Sequence, residues 1–118
     1  MRTLAGTAMA AWDTDALTRR FLHQAEDAER YLREVRSKVK SNPSYQHVYD
    51  EHMARFYVFN YLHGRTFLET QDSLLRELRS LLNAKIPTPD IYDKERFETY
   101  RRRYIEQLIE EFSKEGTK

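Results

Sequence analysis

Four histidines are the side chains in this sequence best suited to bind a metal or transfer a proton: His23, His47, His52 and His63. A di-iron site in a helical bundle needs Glu-x-x-His pairs on two helices, because that spacing places both ligands on one face. The sequence contains no such pair, only the reversed spacing from His23 to Glu26. We therefore predict helix-face histidines, no metal site and no cofactor.

Other catalytic patterns are incomplete. Helical ribonucleases of the HEPN type use an Arg and a His a few residues apart, but seven residues separate Arg55 from His63 and three separate Arg19 from His23. The absence of cysteine excludes a thiolate nucleophile, and there is no Gly-rich phosphate loop or nucleophile elbow. We predict that the chain is not an enzyme. An enzyme whose site is shared with a partner is the open alternative.

Length and composition limit the architecture. The 118 residues suffice for one domain, and three Gly and three Pro are too few for the turns of an all-β fold. Twenty basic and 19 acidic residues give a net charge of +1, which implies no bulk attraction to nucleic acid or anionic lipid. The longest uncharged run, Thr3 to Trp12, is far shorter than the ~20 residues of a membrane span. We therefore predict no membrane span.

Hydrophobic periodicity predicts four helices, at about residues 13–40, 43–63, 66–84 and 89–114. In the first, apolar residues recur every three or four positions from Leu17 to Val39, as is typical of an amphipathic helix. The connections are short enough for antiparallel neighbours. We predict an all-α fold, a three- or four-helix antiparallel bundle, in a single domain over residues 13–115.

Local signals place the helix ends. Gly64 indicates a break after the second helix, although one long helix running through it is an alternative. Thr66 and Glu69 have the spacing of a capping box, so we expect a new helix to begin there. Either Thr88 or Asp90 is expected to cap the fourth helix.

The aromatic content is high for so polar a chain, with eight Tyr, six Phe and one Trp. Tyrosine is enriched where protein surfaces meet, and a chain this short is not expected to bury fifteen aromatic residues by itself. Tyr57 and Tyr61 lie off the main apolar stripe of the second helix, which is therefore apolar around much of its girth. Such a helix is either central to a bundle or in contact with a partner. We predict that Tyr57 and Tyr61 bind a partner.

Two segments are rich in arginine. One contains Arg33 and Arg36 near the end of the first helix, and the other is the triplet Arg101 to Arg103 in the fourth. Solvated helix faces with pairs such as Arg102 and Glu106 are the ordinary interpretation. The functional interpretation is a basic patch for an acidic protein or for phosphate. Tyrosines flank the triplet, but one triplet without net basic charge is a weak indication of RNA binding.

The N-terminal residues 1–12 form a predicted tail. They contain Arg2, several small and hydroxyl residues, and no acidic residue, a composition typical of a mitochondrial presequence. A disordered tail is the alternative. On this basis we predict localisation in the mitochondrial matrix or on the matrix side of the inner membrane.

Three short segments resemble the LYR family of small mitochondrial helical proteins. Ala16-Leu17-Thr18-Arg19-Arg20-Phe21-Leu22 is similar to the Leu-Tyr-Arg opening of that family, with Thr18 at the Tyr position. The runs at 31–36 and 63–69 are similar to its later basic-apolar and Gly-basic-x-x-Leu-Glu stretches. Members are three-helix accessory subunits or assembly factors, and many bind the mitochondrial acyl carrier protein. The resemblance implies that Arg19 is the motif Arg and that Arg33 and Arg36 contact the acidic acyl carrier protein.

Together these features predict a non-enzymatic accessory subunit or assembly factor of a larger mitochondrial complex, of the respiratory chain or ATP synthase, acting through helix–helix contacts. The expected partners are other subunits and, from the resemblance, an acyl carrier protein; nucleic acid is not expected. The alternative is an RNA-contacting accessory subunit of a mitochondrial ribosome that uses the Arg101–Arg103 band. The predicted partner-binding residues are Arg19, Arg33, Arg36, Tyr57, Tyr61, Arg101, Arg102 and Arg103.

Overall fold

The computed structural model describes residues 12–64, 66–85 and 89–116. Its α-helices are α1 (Thr14–Val39), α2 (Tyr45–Leu62), α3 (Gln71–Asn83) and α4 (Lys94–Gly116), and a 3₁₀ turn at Thr66–Glu69 precedes α3. No strand occurs in these ranges. The helices pack against one another, so the predicted all-α bundle is confirmed. None of the described helices is both long and apolar enough to cross a membrane.

Helix α1 forms as its sequence predicts. The side chain of Asp13 accepts the backbone N–H of Ala16 at 2.9 Å and so satisfies one of the free donors at the helix start. The buried residues of α1 run from Phe21 to Val39 on one face. Trp12 belongs to this fold rather than to the predicted tail, because its indole N–H donates to the carbonyl of Leu68 at 2.6 Å. Residues 1–11, which carry the presequence-like pattern, lie outside the described residues.

Helix α2 ends where the sequence indicates. Gly64 has φ of +80°, in the left-handed region that favours glycine, so the predicted break is confirmed and a single helix through this position is excluded. The predicted helix start at Thr66 is wrong for an α-helix, because the chain forms a 3₁₀ turn there. The carbonyl of Leu68 is occupied by Trp12 and Thr14, and α3 begins only after Thr70. The Thr70 hydroxyl accepts the backbone N–H of Ser73 at 3.0 Å and caps the helix.

Helix α4 begins at Lys94, later than the expected residue 89. Thr88 lies outside the described residues, and Asp90 is not the cap. Instead, Asp93 accepts the backbone N–H of Arg96 at 3.1 Å. A buried carboxylate from α2, that of Asp50, also binds the chain just before the helix. The start of α4 is therefore set by α2 as well as by its own sequence.

Consecutive helices run antiparallel, whereas α2 and α4 lie side by side and run parallel. Tyr100 near the start of α4 meets His47 near the start of α2, with 2.9 Å between the phenol oxygen and imidazole Nε2. Gln71 at the start of α3 donates to the carbonyl of Phe112 near the end of α4 at 2.6 Å. The bundle measures 61 × 26 × 21 Å. Helix α2 packs against α1 on one side and α4 on the other, as predicted for a central helix.

The aromatic residues are used mainly inside the chain. All fifteen lie in the described ranges, and only Tyr31 and Tyr92 are exposed, at 45% and 50%. Ring contacts such as Phe21 with Phe59, whose centroids are 5.8 Å apart, join them across helices. Only five of the fifteen are fully buried, so the expectation that the chain cannot bury all of them by itself is confirmed. Eight others are half-buried by ring contacts between the elongated helices, so the aromatic excess does not by itself show where a partner would bind.

Candidate functional site

One face of α2 is left open between its neighbours. Helix α1 packs directly on α2, whereas α3 reaches α2 through side chains such as Glu77, which accepts the Tyr61 hydroxyl. The described backbones of α1 and α3 make no close contact with each other. Met53, Phe56, Tyr57 and Tyr61 recur at steps of three, one and four residues, so they follow this open face along the helix. We name this surface the α2 trough, with these four residues as its floor. The edge-on contact of Phe56 with Tyr57, at 6.3 Å between centroids, joins its two halves.

The first half of the α2 trough is a groove between α1 and α2. Its volume is about 280 Å³, and its floor contains the buried side chains of Leu32 and Met53 together with Phe56. Arg33 and Arg36 form its α1 edge. Arg33 is 70% exposed, and its one ion-pair partner among the described residues is the exposed Glu29 at 3.5 Å, a surface pair that holds the guanidinium weakly. An apolar floor thus lies beside a cation that is free to reorient toward a ligand.

Arg36 is held more firmly than Arg33. Its Nη2 donates to the hydroxyl of Tyr49 at 3.2 Å, and its guanidinium lies 5.6 Å from the centre of the Tyr49 ring. The Tyr49 hydroxyl in turn donates to the carbonyl of Asp90 at 3.0 Å. The hydrogen bond with Tyr49 raises the pKa of Arg36, whereas burial raises the pKa of Tyr49. Arg36 therefore presents a fixed positive charge at the end of the groove.

The second half of the α2 trough is a small apolar crevice where α2, α3 and α4 meet. Its volume is about 60 Å³, and Tyr57, Val58, Tyr61 and Leu81 are among its lining residues. The Tyr61 hydroxyl donates to the carboxylate of Glu77 at 2.5 Å, which ties α2 to α3. The Tyr57 ring stands edge-on to Phe97 at 5.7 Å. Both tyrosines are half-buried and preorganised by their own chain.

The structure brings some of the predicted contact residues together. Five of them border the α2 trough: Arg33, Arg36, Tyr57, Tyr61 and Arg101. Arg19 is exposed on α1, but it precedes Arg33 by 14 residues, or about 21 Å of helix. It therefore lies outside this surface.

The arginine triplet does not form one basic patch. Arg101 is only 3% exposed, and its guanidinium donates to the carbonyl of Leu81 at 2.8 Å and to Glu98 at 2.7 Å. Arg102 donates to the carbonyl of Leu82 at 3.0 Å, and Arg103 lies over the Tyr100 ring. Arg101 also lines the small crevice of the α2 trough, but its guanidinium is turned inward and binds the last carbonyls of α3. Its contact with a partner stays a prediction.

Sequence reasoning did not identify Asp50, the carboxylate that organises the start of α4. It is fully buried and accepts the backbone N–H groups of Tyr92 and Asp93 at 2.8 and 2.9 Å, and Nη1 of Arg96 at 3.0 Å. The available signal was an acidic residue next to Tyr49 in a helix predicted to be apolar all round. A charge in such a position requires partners, because an unpaired buried carboxylate is very costly.

The histidines are dispersed, and no three His, Cys, Asp or Glu residues of the described part are grouped to hold a metal. His52 stacks on Tyr31 with 5.0 Å between ring centres, on the side of α2 that faces away from the α2 trough. Its Nδ1 is buried without a hydrogen-bond partner, and burial lowers its pKa. His47 meets Tyr100, as described above, and His23 lies 3.5 Å from Asp27 at the surface. These positions match the prediction of helix-face histidines.

Comparison with known proteins adds no relative. No family model, curated protein or solved structure matches this chain. The similarity to the LYR family therefore has no support beyond the short segments that suggested it.

Proposed function

We propose that this protein is a non-enzymatic accessory subunit or assembly factor that binds a helix of a partner protein in the α2 trough. The observation that carries the proposal is the open, largely apolar face of α2 with Arg33 and Arg36 on one edge. An amphipathic helix laid in such a groove would cover the apolar floor with its own apolar face. Acidic residues on one side of that helix would meet the two arginines.

Typical energies indicate that buried apolar side chains of the partner would supply most of the affinity, whereas the two arginines would select an acidic partner and its orientation. A partner side chain such as Leu or Phe gains about 1.5–3 kcal/mol when it is fully buried. Arg33, which is exposed, contributes more to the association rate and orientation than to affinity. Arg36, already positioned by Tyr49, loses less side-chain freedom when it binds a carboxylate.

The partner class follows from the earlier predictions. The presequence-like N-terminus and the LYR resemblance support a mitochondrial complex, of the respiratory chain or ATP synthase, as the setting. They also support an acyl carrier protein as one acidic partner. The RNA-contacting alternative has less support, because Arg101 is buried and Arg102 is bound to a carbonyl of its own chain.

Capture of the tagged protein from its native source, with mass-spectrometric identification, tests the proposal. We expect the double variant Arg33→Glu, Arg36→Glu to lose the co-purifying subunits. A matched control, Arg76→Glu with Arg79→Glu, makes the same charge change at two exposed positions of α3. Retention of the partner by both variants would contradict the proposal. Capture of RNA that is lost at moderate salt and with Arg102→Glu, Arg103→Glu would instead favour the ribosomal alternative.

A further inference from the structure

A second cleft lies on the other side of α2, between α1 and α4. We name it the Arg55 cleft; its volume is about 170 Å³, and its polar lining is Arg20, Gln24, Arg55, Tyr104, Gln107 and Glu111. Phe59 and Leu108 give it an apolar wall. Three helices contribute side chains, so the cleft is assembled only in the folded bundle.

Most of the charges in the Arg55 cleft are already paired. Arg20 makes two hydrogen bonds to Glu111, at 2.6 and 2.7 Å, and its guanidinium lies 5.4 Å from the centre of the Phe112 ring. Tyr104 donates its hydroxyl to Glu51 at 3.3 Å. Burial, together with the negative charge of Glu51, raises the pKa of Tyr104 to about 12, so this phenol is neutral at physiological pH.

Two groups in the Arg55 cleft are left without partners. Arg55 is a half-buried residue that lines the cleft, and its guanidinium has no hydrogen-bond or ion-pair partner among the described residues. Glu51, one helical turn earlier on α2, makes its contact with Tyr104 instead. The side-chain oxygen of Gln24 is buried and also unpaired. A half-buried cation and a buried amide oxygen are both groups that gain when a ligand supplies matching hydrogen bonds.

We propose that the Arg55 cleft binds a small monocarboxylate with a short hydrocarbon chain. A carboxylate matches the planar fork of the Arg55 guanidinium and can accept two parallel hydrogen bonds from it. Rotation of the Gln24 amide by half a turn exchanges its oxygen for an N–H₂ group, which then donates to the same ligand. Phe59 and Leu108 contact the hydrocarbon part.

The charge and size of the cleft restrict the ligand further. Glu111 is already paired with Arg20, and Glu51 lies one helical turn from Arg55, so a ligand with more than one negative charge, such as phosphate, is disfavoured. The cleft has a volume of about 170 Å³ and is open to solvent on one side. It has room for a short-chain monocarboxylate such as butyrate. This site is independent of the α2 trough, which lies on the opposite face of α2.

Titration with butyrate at constant ionic strength, followed by NMR of the backbone and Gln24 amides, tests this site. We expect saturable shifts with a Kd on the order of 1 mM, and no saturation with inorganic phosphate. Arg55→Gln is expected to weaken butyrate binding at least tenfold, whereas Arg33→Gln on the opposite face leaves it unchanged. Arg55 has no partner to lose, so circular dichroism of Arg55→Gln should show the native helix content.

Two outcomes would overturn the inference. One is butyrate binding that is equally strong in Arg55→Gln, and the other is an absence of saturation in the wild-type protein. Gln24→Leu provides a second variant that keeps Arg55. It is expected to weaken butyrate binding severalfold, and an unchanged Kd would remove Gln24 from the site and contradict the proposed geometry.

Discussion

The buried carboxylate of Asp50 is expected to be one of the largest single side-chain contributions to the stability of this protein. The carboxylate accepts hydrogen bonds from two backbone N–H groups and from the guanidinium of Arg96, all within 3.0 Å. Substitution by Ala would leave these three donors without their acceptor at the start of α4. It would also leave the Arg96 side chain, which is 29% exposed, with the longer 3.8 Å contact to Asp93 as its remaining ion pair in the described part of the chain.

The expected cost of Asp50→Ala follows from these contacts. A hydrogen bond to a charged group contributes about 1.5–3 kcal/mol, so three such bonds set an upper bound near 9 kcal/mol. The real loss is smaller, because Arg96 is partly solvated and water can reach the loosened helix start. Removal of one partner of a buried ion pair lowers the free energy of unfolding by about 3–5 kcal/mol, and for Asp50→Ala we expect about 4 kcal/mol. That is a large part of the ~5–15 kcal/mol by which a domain is usually stable.

Urea unfolding monitored by circular dichroism measures this cost directly. Asp93→Ala is the matched control, because Asp93 also accepts a backbone N–H at the start of α4 but is exposed. An exposed cap contributes about 1 kcal/mol. We expect the free energy of unfolding to fall about three to four times further in Asp50→Ala than in Asp93→Ala. Equal losses in the two variants would refute the reasoning.

Three further predictions concern other features of the fold. Arg101→Ala is expected to lower the free energy of unfolding by about 2–4 kcal/mol, because it leaves buried carbonyls unpaired. The exposed Arg102→Ala should lower it by less than about 1 kcal/mol, and equal denaturation midpoints for the two variants would contradict this. Gly64→Ala should lower the free energy of unfolding by about 1 kcal/mol. The cause is the positive φ alone, because a Cβ at this position meets nothing within 4 Å. An unchanged urea midpoint would contradict this and would mean that the turn adopts another conformation. The raised pKa of Tyr104 means that the folded protein holds this proton more tightly than the unfolded chain. Its stabilising contribution is therefore complete below pH 10 and is lost as the pH rises from about 10 to about 12. Between pH 10 and pH 12, the free energy of unfolding of Tyr104→Phe should fall less steeply with pH than that of the wild type. Equal slopes in the two proteins would contradict the raised pKa of Tyr104.

The helices that could be predicted are those whose signals are local. The buried residues of α1 from Phe21 to Val39 repeat every three or four positions, and Gly64 interrupts the pattern where the backbone needs a positive φ. The start of α4 could not be predicted in the same way. Asp50, which binds the chain before α4, is more than forty residues away, and nothing near residue 90 indicates it.

The candidate site was predictable only in part, for a related reason. Arg33 and Tyr57 were chosen from separate patterns, and it is the packing of α1 on α2 that places them along one surface. Arg101 and Arg103 look equivalent in the sequence, but helical rotation turns Arg101 toward the end of α3 and Arg103 outward. The carbonyls that Arg101 binds belong to a neighbouring helix, so the Arg triplet alone could not reveal them.

Photo-crosslinking along α2 tests the central claim, binding of a partner helix in the α2 trough, most directly. A photoreactive phenylalanine analogue would replace Tyr57, on the trough floor, or Tyr31, an exposed tyrosine on the opposite side. Both variants would be irradiated in their native cellular setting, and the crosslinked peptides would be identified by mass spectrometry. The proposal predicts a crosslink from position 57 to an amphipathic segment of another protein, and little or none from position 31. Crosslinks from position 31 with none from position 57 would contradict it.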